Sequence, residues 1–164
     1  FGSVDYWAYG YNHLRGWDSI QNPRMFADVN GDGRDDLIGF GNAGVLVALS
    51  DGTQLNSTGY WVNGYCYLRG WDGTRHIRTL GDVNGDGRAD LAGFGDVGVL
   101  IALSDGTKFN PLGHWAYGYN YNRGWDVNQH PRIVADVNDD NLDDVVGFGT
   151  SGVLVILSDG TKFE

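Results

Sequence analysis

A repeat of 54 residues runs through the chain without insertion or deletion, and nothing else in the sequence constrains the fold as strongly. The segment Asp28-Val29-Asn30-Gly31-Asp32-Gly33-Arg34 returns as Asp82-Val83-Asn84-Gly85-Asp86-Gly87-Arg88, and again as Asp136-Val137-Asn138-Asp139-Asp140-Asn141-Leu142. Gly16-Trp17-Asp18, Gly70-Trp71-Asp72 and Gly124-Trp125-Asp126 keep the same period, as do Phe40, Phe94 and Phe148. Phe1, Leu55, Phe109 and Phe163 stand at equivalent positions, so the 164 residues divide into units 2–55, 56–109 and 110–163. A period in this range is the signature of an architecture whose units bury their apolar faces on one another.

Within a unit the pattern is β. Val45 to Ser50 is a β-branched and aliphatic run closed by Asp51-Gly52, a strong turn signal. Asp36 to Gly41 reads as a second strand, Arg24 to Ala27 as a third and Tyr6 to Tyr11 as a fourth. No window sustains a 3.6-residue period, and 27 glycines would cost any helix heavily. The expectation is an all-β chain: a β-propeller built from three four-stranded blades of 54 residues. Propellers close with about four to eight blades. Three blades leave two open apolar faces, so the chain is expected to be half of a six-bladed ring completed by a two-fold homodimer.

The strongest chemical signal is the acidic loop. Each unit carries D-x-N-x-D-x-x-x-D: Asp28, Asn30, Asp32 and Asp36; Asp82, Asn84, Asp86 and Asp90; Asp136, Asn138, Asp140 and Asp144. Alternate oxygen-bearing side chains in a tight turn suit a hard cation taking about six to eight oxygens, calcium before any other. Arg34, Arg88 and Leu142, at position seven, would add a backbone carbonyl, which leaves the side chain free to vary. Gly33 and Gly87 supply left-handed backbone at position six, where Asn141 is the next most tolerant residue. About one calcium per repeat is expected, in a structural role. The competing reading is an Asx-turn cluster that closes the hairpin without metal. Carboxylates crowded in this way account for much of the net charge of −10, which argues against nucleic-acid binding. No apolar stretch is long enough for a membrane span. The single cysteine, Cys66, has no partner for an internal disulfide.

A second constellation recurs upstream: aromatic rings beside amide, imidazole and guanidinium groups. It comprises Tyr11, Gly16, Trp17, Asn22 and Arg24; Tyr65, Gly70, Trp71, His76 and Arg78; and Tyr119, Gly124, Trp125, His130 and Arg132. Flat rings covering the C–H face of a pyranose, with polar groups pairing its hydroxyls, are what sugar recognition uses. Trp7, Trp61 and Trp115 sit within alternating strands and read as inter-blade core rather than ligand contacts. Trp17, Trp71 and Trp125 follow a glycine in a loop and read as ligand contacts. The arginines have a second reading as partners of Asp18, Asp72 and Asp126. His13 and His114 lack counterparts and read as surface variation.

The succession G-W-x(4)-[HN]-[PI]-R, A-D-V-N-G-D-G-x-x-D-[LV]-x-G-F-G and G-V-x-V-x-L-S-x-G resembles the repeat of the Psathyrella velutina lectin family, β-propellers of integrin-type FG-GAP repeats. The resemblance covers all three units. It implies calcium in the acidic loops and N-acetylglucosamine-type sugars in pockets between neighbouring blades, at the fifteen residues of the aromatic and polar stripe. The function expected is a calcium-stabilised, multivalent lectin, secreted or extracellular, whose partners are glycans and a second copy. The alternative is an integrin-like protein-adhesion module without a sugar pocket. Enzymatic activity is not expected, because catalysis needs asymmetric groups and here every candidate recurs in each unit.

Overall fold

The computed structural model describes residues 5–164, so Phe1, the first of the equivalent aromatic and aliphatic positions, lies outside the described residues. The chain is all-β. Strands β1 (Arg24–Ala27), β2 (Asp36–Phe40), β3 (Val45–Ser50) and β4 (Leu55–Val62) form one antiparallel sheet in sequential order. β5 (Ile77–Gly81), β6 (Asp90–Phe94), β7 (Gly98–Ser104) and β8 (Phe109–Tyr117) form the second, and β9 (Arg132–Ala135), β10 (Asp144–Gly149) and β11 (Gly152–Ile156) the third. The only helical elements among the described residues are three single 3-10 turns, at His13–Arg15, Tyr67–Arg69 and Tyr121–Arg123. Among the described residues no helix is long and apolar enough to cross a membrane.

Two details differ from the sequence-based expectation, and they have one cause. Tyr6 to Tyr11 is not a strand of the first sheet, and the third sheet has three strands rather than four. The equivalent of Tyr6–Ala8 in the next unit is Tyr60–Val62, the end of β4, which hydrogen-bonds to β3 of the preceding sheet. Each sheet therefore takes its outer strand from the opening of the following 54-residue unit, and the sheets are offset from the units 2–55, 56–109 and 110–163. Trp7 holds the matching position ahead of the first sheet, where its carbonyl accepts from the Leu55 N–H at 2.9 Å.

The core lies between sheets. Leu91 and Ala102 of the second sheet pack with Ile38, Phe40, Val45 and Val47 of the first, closed by Trp61 against Phe109 at 5.3 Å. One unit on, Val145 joins Phe94, Val99 and Ile101, closed by Trp115 against Phe163 at 5.5 Å. Trp61 and Trp115 are thus core residues, as their strand positions suggested, whereas Trp7, expected to be core with them, lies outside any strand and is 45% exposed. Strands β2 and β6 are buried along their whole length.

Polar contacts stitch the sheets together. The Ser104 hydroxyl donates to the Val29 carbonyl, and the Ser158 hydroxyl donates to the Val83 carbonyl at 2.7 Å. Beside them the Ala89 N–H reaches the Asp28 carbonyl and the Asp143 N–H the Asp82 carbonyl, both at 2.7 Å. Ser104→Ala leaves a buried carbonyl without its donor and is expected to cost about 1–2 kcal/mol in urea unfolding. Ser50→Ala, at the position whose hydroxyl makes no such inter-sheet bond among the described residues, should cost clearly less. Equal losses would remove the stitching role.

Candidate functional site

Each acidic loop is a nest of Asx turns. Asp28 accepts from the Gly31 N–H through Oδ1 and from the Gly33 N–H through Oδ2, both at 2.7 Å, and Asn30 Oδ1 accepts from the Asp32 N–H at 2.9 Å. Asp82 and Asp136 repeat the arrangement. The backbone required is left-handed at Gly33 (φ 82°) and Gly87 (φ 80°), and Asn141 adopts it at φ 66°. Asp139, in the place of Gly31, does the same at φ 64°.

Position nine is different in kind. Asp36, Asp90 and Asp144 are fully buried, each accepting the N–H of the serine before the Asp-Gly turn (Ser50, Ser104 or Ser158) at 2.8 Å and of the valine that follows the loop's first aspartate. Burial pushes the Asp90 carboxyl up to about 7 against the pull of the Ser104 N–H, with repulsion from Asp86 and Asp82 acting in the same direction as burial. Asp36 is raised for the same leading reason.

The donor set is entirely oxygen, and Asp36, Asp90 and Asp144, each accepting two N–H groups, keep free lone pairs, so the chemistry fits a hard cation. Two features of the arrangement run the other way. Arg34 and Arg88 pair with Asp32 and Asp86 within their own loops, and among the described residues no three Asp, Glu, His or Cys side chains converge as a metal cage. In the third loop Leu142 replaces the arginine and packs over Gly85, leaving Asp140 without that ion pair.

The aromatic and polar stripe divides into two layers. Trp17, Trp71 and Trp125 lie across Gly39, Gly93 and Gly147, so closely that a Cβ at any of the three would fall about 2.4–2.6 Å from ring carbons. Tyr11, Tyr65 and Tyr119 pack on the tryptophans with ring centroids 4.7–5.1 Å apart. Behind them, Arg78 and Arg132 are buried and donate to the Tyr65 and Tyr119 carbonyls. Those two tyrosines have left-handed backbone, φ 52° and 54°, a conformation that costs a bulky residue of order 1 kcal/mol. The arginines hold that turn. Arg24 makes the corresponding contact to the Tyr11 carbonyl at 3.4 Å.

In front of this layer the same pocket opens three times. In the first unit Arg15, Gly16, Trp17 and Asn22 face Gly41, Asn42, Leu46 and Tyr60. In the second, Arg69, Gly70, Trp71 and His76 face Gly95, Asp96, Leu100 and His114. In the third, Arg123, Gly124, Trp125 and His130 face Gly149, Thr150, Ser151 and Leu154. Glycine, tryptophan and the Asn/His position of the stripe are brought together here, while the tyrosines and arginines at 11 and 24, 65 and 78, and 119 and 132 lie outside these three linings.

The Asn22 and histidine positions are interchangeable for a visible reason. His76 Nδ1 accepts from the Asp72 N–H and His130 Nδ1 from the Asp126 N–H, both at 3.1 Å, and Asn22 Oδ1 accepts from the Asp18 N–H at 3.2 Å. An Nδ1 acceptor leaves the proton on Nε2, which reaches Asp96 at 3.1 Å in one pocket and the Thr150 hydroxyl at 3.0 Å in the other. Asn22 Nδ2 bridges likewise to Asn42 at 3.0 Å. One ring or amide thus ties the tryptophan loop to the turn between two strands. That turn residue (Asn42, Asp96 or Thr150) and the aliphatic floor of Leu46, Leu100 and Leu154 escaped the sequence reading, although all keep the 54-residue period, while Arg15, Arg69 and Arg123 stand in the recurring stretch that carries the tryptophans and join the lining here. His114 is a correction of another sort: it is no isolated surface variant but the second unit's equivalent of Tyr60, a pocket wall. A further cleft, lined by Ile20, Met25, Ile77 and Val127 among others, lies between sheets.

A family model described as FG-GAP-like repeat matches residues 28–92. No curated protein matches the chain. Among solved structures, a lectin of Agrocybe aegerita, studied for specific recognition of non-reducing terminal N-acetylglucosamine, is 36% identical with a TM-score of 0.85. The match covers 91% of this chain and 38% of the lectin, so the chain spans about two fifths of that protein's length. The Photorhabdus luminescens Tc holotoxin pore (18% identity, TM-score 0.65, 96% of this chain and 7% of that one) shares the fold alone. So does the TcdB2-TccC3 structure (17%, 0.63, 88% and 7%). Residues 28–92 carry an FG-GAP-like repeat, in an all-β chain whose fold is similar to that of an N-acetylglucosamine-recognising lectin.

Proposed function

We propose that the chain is a multivalent carbohydrate-binding module for N-acetylglucosamine-type sugars, one per tryptophan pocket. The observation that carries this reading is the recurrence of one pocket in all three units, on a fold similar to that of a lectin. The chemistry of the lining supports it. Arg15 and Asn42 offer donors for ring hydroxyls, and Leu46 gives an apolar surface for the methyl of an acetamido group. Trp17 is fixed by Gly39 on one side and Tyr11 on another, so its contribution costs little side-chain entropy on binding. Weak equal sites gain strength on a dense glycan surface through effective concentration. Three like pockets suit repeated sugar better than a single protein epitope. No step of bond making is part of this reading.

Calcium at about one per repeat belongs to the same proposal, as does self-association into a closed ring and an extracellular setting. The buried Asp36, Asp90 and Asp144 and the exposed Asp32, Asp86 and Asp140 would supply the oxygen ligands, with the Asx turns presenting them.

Three outcomes are expected. Calorimetric titration with N-acetylglucosamine should show binding that Trp71→Ala reduces by about one site per chain, with the fold retained by circular dichroism; properly folded protein that gives no heat with any N-acetylated sugar would sink the reading. Calcium should raise the melting temperature and bind at about three per chain, falling to about two in Asp86→Ala; an unchanged melting temperature on chelation would exclude the ion. The third follows from Asp90, whose carboxyl sits higher in the folded chain than in the unfolded one. Its contribution is present at low pH and lost as pH rises through about 7, so in chelator the melting temperature should fall between pH 5 and pH 8. A rise over that interval would contradict the burial assigned to it.

A further inference from the structure

A hollow of about 430 Å³, lined by Tyr121, Asn122, Gly124 and Asp126, lies beside the turn that walls the second pocket. Two contacts join it to that pocket. Asn122 Nδ2 donates to the carbonyl of Asp96 at 3.0 Å, and Asp96 is part of the second pocket's lining. Arg75 donates from Nη2 to Asp96 Oδ1 at 2.9 Å, and its guanidinium carbon lies 4.6 Å from the centre of the Tyr121 ring. One side chain therefore ties the pocket's carboxylate to the ring in the neighbouring hollow.

The tie holds both ends in place. Asp96 Oδ1 meets Arg75 and also His76 Nε2, at 3.1 Å, while Oδ2 makes no hydrogen bond among the described residues. A guanidinium over an aromatic face is attracted by the ring quadrupole, so Arg75 restrains Tyr121. Tyr121 is still 43% exposed, which leaves ring surface for a ligand at little further cost in side-chain entropy. Gly124 also borders the third pocket, but the guanidinium that holds the ring reaches into the second.

The first pocket has no such tie. Gln21 stands where Arg75 does, and it turns towards the next unit's loop: Nε2 donates to Asp72 Oδ1 at 3.2 Å and Oε1 accepts from the Gly73 N–H at 3.0 Å. Tyr67, the equivalent of Tyr121, has no guanidinium over its ring among the described residues, and Leu68 replaces Asn122.

We propose that Tyr121 and its hollow form a subsite for the sugar unit next to the one held against Trp71, so that the second pocket reads an N-acetylated disaccharide while the first reads a single sugar. The ring offers a flat surface to the C–H face of the second pyranose. Asp126 spends Oδ1 on the Asn128 N–H at 2.8 Å and keeps Oδ2 for a hydroxyl. Asp96 Oδ2 stands at the junction of the two units. Arg75 is a positioning residue, acting through Tyr121 and Asp96. The subsite rests on the sugar-binding reading above and deepens it.

The indole N–H signals of Trp17, Trp71 and Trp125, each identified by its loss in Trp17→Phe, Trp71→Phe or Trp125→Phe, report the three pockets separately in heteronuclear NMR. The protein is titrated with the methyl glycoside of N-acetylglucosamine and with N,N′-diacetylchitobiose. The Trp71 signal should respond to the disaccharide with an affinity about tenfold higher than to the monosaccharide, roughly 1.4 kcal/mol, whereas the Trp17 signal should not distinguish the two. The C–H protons of the second sugar unit should shift upfield over the Tyr121 ring. In Tyr121→Ala the preference at Trp71 should fall to that at Trp17 and the upfield shift should vanish, while Tyr121→Phe keeps both. Arg75→Gln, which copies the first unit, should lower the preference at Trp71. Indole signals that neither sugar moves would retire the sugar-binding reading and the subsite with it. Sugar binding in which Trp71 reports equal affinity for both ligands would overturn the subsite alone, and so would a disaccharide preference reported by Trp125 instead of Trp71.

Discussion

The architecture hangs on a buried carboxylate at the end of each acidic loop. Asp90 gathers the N–H of Ser104 and of Val83, and so fixes the loop to the strand that faces it. The serine thereby oriented extends its hydroxyl to Val29 in the preceding sheet, whose own N–H is held by Asp36. Carboxylate, serine and valine thus make a relay from one sheet to the next, inside a core where an unpaired polar group would cost several kcal/mol. Apolar contacts supply the adhesion between sheets. The relay sets their registry, and with it the orientation in which every loop is presented.

The same logic explains the placing of glycine. Gly39, Gly93 and Gly147 lie in the middle of strands, where glycine ordinarily weakens a sheet. Here the missing Cβ is the space into which a tryptophan ring settles. The ring then carries a tyrosine, the tyrosine's carbonyl engages a buried arginine, and the whole stack forms a rigid back for the pocket in front of it. Stability and recognition draw on the same aromatic residues, divided by depth: the deep ring and guanidinium hold shape, and the shallow edge faces solvent.

Much of this was legible in the residues. The 54-residue period gave the number of units, and the short apolar runs at Val45–Ser50 and Asp36–Phe40, each bounded by turn residues, marked their strands. The Asn22 and histidine exchange was readable as a shared hydrogen-bonding role, since both offer an acceptor of similar reach. The arginines were not readable. A guanidinium at a strand start has the same sequence appearance whether it meets a ligand or a backbone carbonyl, and only burial decides. Asn42 and His114 were missed for the opposite reason: one looked like turn chemistry, and the other looked unique because its equivalents are tyrosines.

What the sequence determined by itself was local and periodic: strand, turn, Asx nest and the left-handed positions, each fixed by the steric and hydrogen-bonding character of a few adjacent residues. What only the tertiary structure decided was phase and depth. The repeat is cyclic, so its period says nothing about where a sheet begins. Hydrogen bonding between β3 and β4 places the boundary inside the written unit and hands each outer strand to the sheet before it. That offset ties the opening of one unit to the strands of the unit before it, a relation across the chain that no local preference encodes.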